Sequence, residues 1–117
     1  MKADNVIQIK SYAFAIRVVN VYKYLTSENN EYVLSKQLLR CGTSIGANIE
    51  EAIGGQSKKD FIAKLAISYK EAREAHYWIR ILKDTDYLSQ EQSASLLNDV
   101  DKLLRIIGTI QKTMRNS

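Results

Sequence analysis

Residues 34–60 read LSKQLLRCGTSIGANIEEAIGGQSKKD, one helical pattern, a glycine stop and a new helix start. Leu34, Leu38, Cys41, Ile45, Ile49 and Ala52 recur at three- and four-residue intervals, the spacing that lines one face of an α-helix. Cys41, Gly42 and Ala52 are small, so a neighbouring helix can approach closely there. The helix is expected over 31–53 and is stopped by Gly54-Gly55, because glycine reaches the left-handed conformation that closes a helix without a Cβ clash. Ser57-x-x-Asp60 then puts an acceptor side chain at a new helix start and a carboxylate in its first turn, both favourable against unpaired amides.

Working outward, the same punctuation recurs. A first helix is expected over 6–26, with Asn5 as its cap and Gln8 three residues on, ended by the polar cluster Ser27-Glu28-Asn29-Asn30. The third runs to Asp84, Thr85-Asp86-Tyr87-Leu88 makes a short link, and Ser89-x-x-Gln92 opens a fourth that reaches Met114. The chain has no proline and only five glycines, which leaves these stretches free of helix breakers. Helix 3 carries Phe61, Leu65, Tyr69, Ala72 and Ile79 on one stripe, and helix 4 carries Leu96, Val100, Leu103, Ile107, Ile110 and Met114. Short connections make sequential helices antiparallel neighbours, so the expected fold is all-α, an antiparallel up-down-up-down four-helix bundle filling residues 1–117 as a single domain.

Helix 1 breaks the simple pattern with two apolar stripes on nearly opposite sides. One is Ile7, Phe14, Val18, Val21 and Leu25; the other is Ile9, Tyr12, Ile16 and Val19. A bundle helix needs one buried face, so the second stripe calls for a cover, most simply another subunit.

Composition narrows the function classes. Hydrophobic residues make up 45% and charged residues 26%, as in soluble globular domains, and no apolar run approaches the length of a membrane span or a secretion signal, so a cytoplasmic, membrane-free protein is expected. Cys41 is the only cysteine, which excludes a disulfide or thiolate cluster within one chain. His76 is the only histidine and lacks a second histidine at helical spacing; Arg73 lies too close to it for the arginine-then-histidine spacing of small helical ribonucleases. The acidic pairs Glu50/Glu51, Glu71/Glu74 and Asp99/Asp101 lack a Glu-x-x-His pattern and read as solvated faces with surface ion pairs, Asp60 with Lys64 and Lys70 with Glu74. Gly54-Gly55 has none of the spacing of a phosphate loop. No catalytic residue, metal site or cofactor is expected. Helix 3 segregates its charge: Lys59, Lys70, Arg73, Tyr77 and Arg80 share one side, and cations interleaved with an aromatic suit phosphates and a stacked base.

The segment Gln37-Leu38-Leu39-Arg40-Cys41-Gly42-Thr43-Ser44-Ile45-Gly46-Ala47-Asn48-Ile49-Glu50-Glu51 resembles the signature of the four-helix-bundle proteins encoded in intervening sequences of bacterial 23S ribosomal RNA genes. The likeness continues through Ser57-Lys58-Lys59-Asp60-Phe61, residues 65–71 and Tyr87-Leu88-Ser89, and extends to the accessory variability protein of diversity-generating retroelements. The resemblance implies a homopentamer with a basic surface for nucleic acid, RNA or DNA, or for a protein that handles it, and no enzymatic activity. This chain departs from the family in having Gly46 in place of a common proline, and Ala52 in place of a glycine, so a proline kink is not expected. Ser44, Asn48 and Glu51 match the signature and are expected to form a polar cluster bracing the turn between helices 2 and 3.

The expectation is therefore a noncatalytic, homo-oligomeric accessory protein binding RNA through Lys59, Lys70, Arg73, Tyr77 and Arg80. The alternative is a protein-interaction scaffold that uses the second face of helix 1 and an exposed Trp78. A helical nuclease built on His76 ranks third.

Overall fold

The structure is a computed structural model that describes residues 2–116, with side chains from Val6 to Asn116. Its helices are α1 (Lys2–Glu28), α2 (Leu34–Ile53), α3 (Lys58–Asp84) and α4 (Gln90–Arg115). Each packs on its chain neighbours, and a shorter α1–α4 seam closes the ring, giving a rod of 47 × 21 × 19 Å. The up-down-up-down bundle follows from the connections, none longer than a few residues.

The local chemistry explains most helix ends. Ser57 Oγ accepts from the Asp60 amide at 3.1 Å, and Ser89 forms a full capping box with Gln92, each side chain bonding the other's backbone amide at 3.0 and 2.9 Å. Between α3 and α4 the amides of Tyr87 and Leu88 both donate to the Leu82 carbonyl, which folds Leu88 into the core.

Three ends differ from the expectation. Helix α1 already runs from Lys2, so Asn5 lies within it; the Asn5 side chain falls outside the described residues. Helix α2 starts at Leu34 instead of residue 31, because Glu31 turns its carboxylate onto the helix start and accepts from the amides of Val33 (3.2 Å), Leu34 (3.0 Å) and Ser35 (2.7 Å). Gly54 closes α2 at φ −80° and no glycine has positive φ; among the described residues the left-handed positions are Asn30 (φ 51°) and Asp86 (φ 66°), whose short polar side chains tolerate that region.

The core matches the apolar periodicity. Ile7, Phe14, Val18 and Leu25 of α1 meet Leu38, Cys41, Ile45 and Ile49 of α2, Leu65, Ala72 and Ile79 of α3, and Leu96, Val100, Leu103, Ile107 and Ile110 of α4, all buried. Ser68, with no exposed surface, donates across to the Ile45 carbonyl at 2.9 Å, a polar tie between α2 and α3 inside this core. Gly42 and Gly46 set the α1–α2 distance: a Cβ on Gly42 would lie 2.7 Å from Val18 Cγ2, and one on Gly46 would lie 3.3 Å from the Ser11 carbonyl oxygen. Gly46 thus serves close approach, and α2 stays continuous through it.

Cys41 is fully buried, and its Sγ points to the Leu38 carbonyl at 3.7 Å. Burial, with Glu74 nearby, pushes the thiol up to about 12, so the thiolate is not formed near neutral pH. We expect no alkylation of native protein by iodoacetamide at pH 8, and stoichiometric alkylation in denaturant; fast labelling of the native chain would contradict this packing.

Candidate nucleic-acid interface

The outer face of α3 carries the basic stripe. Lys59, Lys70, Arg73, Tyr77 and Arg80 are all exposed and span about 80° of arc at 100° per residue. The Arg80 guanidinium lies 5.8 Å from the Tyr77 ring centre, and Tyr77 meets Trp78 edge to face at 5.1 Å. The stripe is therefore a planar aromatic flanked by cations, as expected.

Two acids of α3, Glu71 and Glu74, are drawn away from it, while Asp84 at the helix end stays on the same arc beside Lys83. Arg40 of α2 forms ion pairs with Glu74 and, at 3.3 Å, with Glu71. The Trp78 indole N–H donates to Glu74 at 3.0 Å, and this bond together with Arg40 holds the Glu74 carboxyl below its ordinary range. Among the described residues Lys59, Lys70 and Arg73 form no ion pair; Lys70 acts on Glu74 only through its field. The expected pairs Lys70–Glu74 and Asp60–Lys64 do not form, because Arg40 takes Glu74 and Lys64 reaches Glu51 at 2.9 Å. Trp78 is half-buried against the core and bonded to Glu74, so it is not the exposed anchor that the scaffold alternative needs.

The signature polar residues divide differently from the expectation. Ser44 Oγ donates to the Arg40 carbonyl at 2.7 Å and the Asn48 amide donates to the Ser44 carbonyl at 2.8 Å, both within α2. Only Glu51 crosses to α3, through Lys64. No three-residue cluster braces the turn. On the other side of α2, Gln8 of α1 donates to the Glu50 carboxylate at 3.1 Å.

His76 is held between helices. Its Nδ1 accepts from Arg80 Nε at 3.0 Å, which puts the ring proton on Nε2, 3.4 Å from Asp101 Oδ1 of α4. Both ring nitrogens are engaged in positioning contacts. Arg80 stands one turn along the same helix, whereas Asp101 could not be assigned from chain spacing, since it lies on another helix. No group of three or more metal-ligating side chains converges among the described residues.

A second basic feature was not apparent in the sequence. Between α3 and α4 runs a shallow groove, wide open to solvent, of about 520 Å³, lined by Tyr69, Arg73, Asp101, Arg105, Gly108 and Lys112, among others. Arg73 belongs to both the stripe and the groove. Arg105 and Lys112 sit two turns apart on one face of α4, a spacing that has meaning only once α4 is laid beside α3.

On α1 the second apolar stripe is open. Ile9 is 69%, Tyr12 66% and Ile16 48% exposed, with Val19 half-buried beside them. No helix among the described residues is long and apolar enough to cross a membrane.

The family model described as 23S rRNA-intervening sequence protein matches residues 3–109. A solved structure from Bacteroides thetaiotaomicron VPI-5482, described as a protein with unknown function from the S23 ribosomal protein family, is 50% identical; the match covers 94% of this chain and 98% of that one with a TM-score of 0.93. No curated protein matches the chain.

Proposed function

Because the chain belongs to the 23S rRNA-intervening sequence protein family, we propose that it is a noncatalytic, self-associating accessory protein that binds nucleic acid, RNA foremost, through the outer face of α3. One observation carries this reading: Arg40 pairs with Glu71 and Glu74 from the side, so Lys70, Arg73 and Arg80 stand near Tyr77 with Lys59 further along the same face, and Asp84 at the helix end is the one acid on that arc. Such a face neutralises phosphates and offers a ring to a base, with little sequence preference. Self-association covers Ile9, Tyr12 and Ile16 and repeats the stripe around the assembly, which multiplies weak contacts into useful affinity. The proposed assembly is the homopentamer that the sequence resemblance implies, and the proposed compartment is the cytoplasm.

The test is binding of fluorescent single-stranded and duplex RNA and DNA to the wild type and to a Lys70→Glu/Arg73→Glu/Arg80→Glu variant. We expect the variant to lose roughly 10- to 100-fold in affinity on every sequence, as removal of phosphate contacts does. Equal binding by both proteins would sink the assignment of this face. A protein-interaction scaffold is the second reading, supported by the open stripe of α1. Ile9→Asp/Ile16→Asp should convert the assembly to a monomer of 13.3 kDa in sedimentation experiments; a wild type that is already monomeric would favour a different protein as the cover for that stripe.

A further inference from the structure

Three glycines lie inside helices, and the packing explains two of them. A glycine in a helix is destabilising relative to alanine, because it gives up more backbone freedom on folding. At Gly42 and Gly46 the absent side chain is what lets α1 come close. At Gly108, in the last third of α4, the nearest atom to an added Cβ is Tyr69 Cε2 at 3.9 Å, an ordinary van der Waals distance. Nothing within the chain requires the missing side chain. Its effect is on the α3–α4 groove, whose floor it leaves open beside the Tyr69 ring.

The surroundings of that opening are cationic. Arg105 lies three residues before Gly108 and Lys112 four after it, on the same face of α4, and Arg73 stands on α3 across the groove. None of the three forms an ion pair among the described residues, and the acid in the lining, Asp101, lies 3.4 Å from His76 Nε2 and leaves the three cations in excess. An aromatic ring beside an unfilled space, ringed by three free cations, has the chemistry of a seat for a base and its adjoining phosphates.

We propose that the α3–α4 groove seats one nucleotide of a single strand, its base against Tyr69 over Gly108 and its flanking phosphates on Arg73, Arg105 and Lys112. The inference rests on the nucleic-acid reading above and adds a preference to it. A base inside a duplex is already stacked and cannot lie against Tyr69, so single strands gain from the groove and duplexes do not.

The test compares wild type, Gly108→Leu and Lys70→Glu/Arg80→Glu by binding to a fluorescent oligouridine and to duplex RNA, with melting temperature and sedimentation mass recorded for each. A Cβ at Gly108 meets the Tyr69 ring at an ordinary contact distance and a better helix former replaces glycine, so Gly108→Leu should melt no lower than wild type and keep its mass. It should weaken single-strand binding by about 5- to 100-fold, the cost of losing one stacked base, with duplex binding within about twofold of wild type. Wild-type single-strand affinity in Gly108→Leu would overturn the groove while leaving the α3 stripe standing, provided Lys70→Glu/Arg80→Glu still loses binding. A changed mass in Gly108→Leu would overturn it too, by making the groove a contact between subunits. Failure of the wild type to bind either nucleic acid would remove both readings.

Discussion

Gly42→Val lowers the stability of the bundle by about 3 kcal/mol, the upper end of what overpacking a filled core costs. The reason is local and rigid. A Cβ at residue 42 falls 2.7 and 2.8 Å from the two γ-carbons of Val18, which has no exposed surface and no vacant volume to turn into. Valine adds two more carbons in the same place, so α1 must lift from α2 and carry Phe14 and Ile7 with it. In thermal denaturation the midpoint falls by roughly 10–20 °C for a domain of this size. The cause can be isolated by a double-mutant cycle. Gly42→Ala is destabilising beside Val18, but in a Val18→Ala background the offending γ-carbons are gone and the same substitution becomes neutral or stabilising. Additive behaviour of the two changes would show that residue 42 does not set the α1–α2 distance.

Glu31→Ala costs about 2 kcal/mol, because one carboxylate serves the backbone amides that open α2. Removing it leaves three N–H groups at a largely buried corner, where Glu31 itself is 8% exposed. Burial alone would push the Glu31 carboxyl up, but the amides of Ser35, Leu34 and Val33 and the Ser35 hydroxyl outweigh it and hold the group below its ordinary value of 4.5. The sign follows from linkage. A carboxyl whose folded pKa is depressed contributes stability that is fully present above the unfolded value and is lost as pH falls through the folded one. Wild type should therefore lose stability as pH drops below about 4.5, while Glu31→Gln, which has no charge to lose, declines less. Glu74, also held low, remains in both proteins and contributes equally, so the difference between the two curves reports Glu31. Parallel curves from pH 7 to 3 would remove Glu31 as the cap of α2.

How much of this could be read from the sequence depends on the range of the interaction. Ser57-x-x-Asp60 and Ser89-x-x-Gln92 act within one turn, and both helix starts are where the spacing puts them. The core stripes are equally local in origin, since periodicity alone sets which side of a helix is apolar. The sequence pattern places Glu31 inside α2, because its cap reaches forward over several residues and Glu is a good helix former with no preference for such a role. Residue type predicts a left-handed closure at Gly54, yet it closes the helix at negative φ while Asn30 and Asp86 take the left-handed positions. The polar residues depended on tertiary neighbours. Nothing in the spacing of Glu71 and Glu74 shows that Arg40 pairs with both, and this pairing is what leaves Lys70 without an ion pair. Asn48 bonds along its own helix because the Ser44 carbonyl one turn back is the nearer acceptor.

The interface follows the same division. Lys59, Lys70, Arg73, Tyr77 and Arg80 share one helix, so their common face was visible in the sequence and the structure places them together. Arg105 and Lys112 join Arg73 only through the antiparallel pairing of α3 and α4. The open stripe of α1 was legible for the opposite reason: a helix with apolar residues on two sides has one side more than this bundle buries, and Ile9, Tyr12 and Ile16 are the residues left over.

The most direct test of the account is the salt dependence of single-stranded RNA binding by the wild-type assembly, measured from 50 to 300 mM potassium chloride. Binding through the cations of α3 requires log K to fall linearly with log salt, with a slope near −0.7 for each phosphate neutralised, so several contacts give a slope of roughly −2 or steeper. A slope near zero, or no binding at the lowest salt, would contradict the account and leave the α3 face a solvated surface.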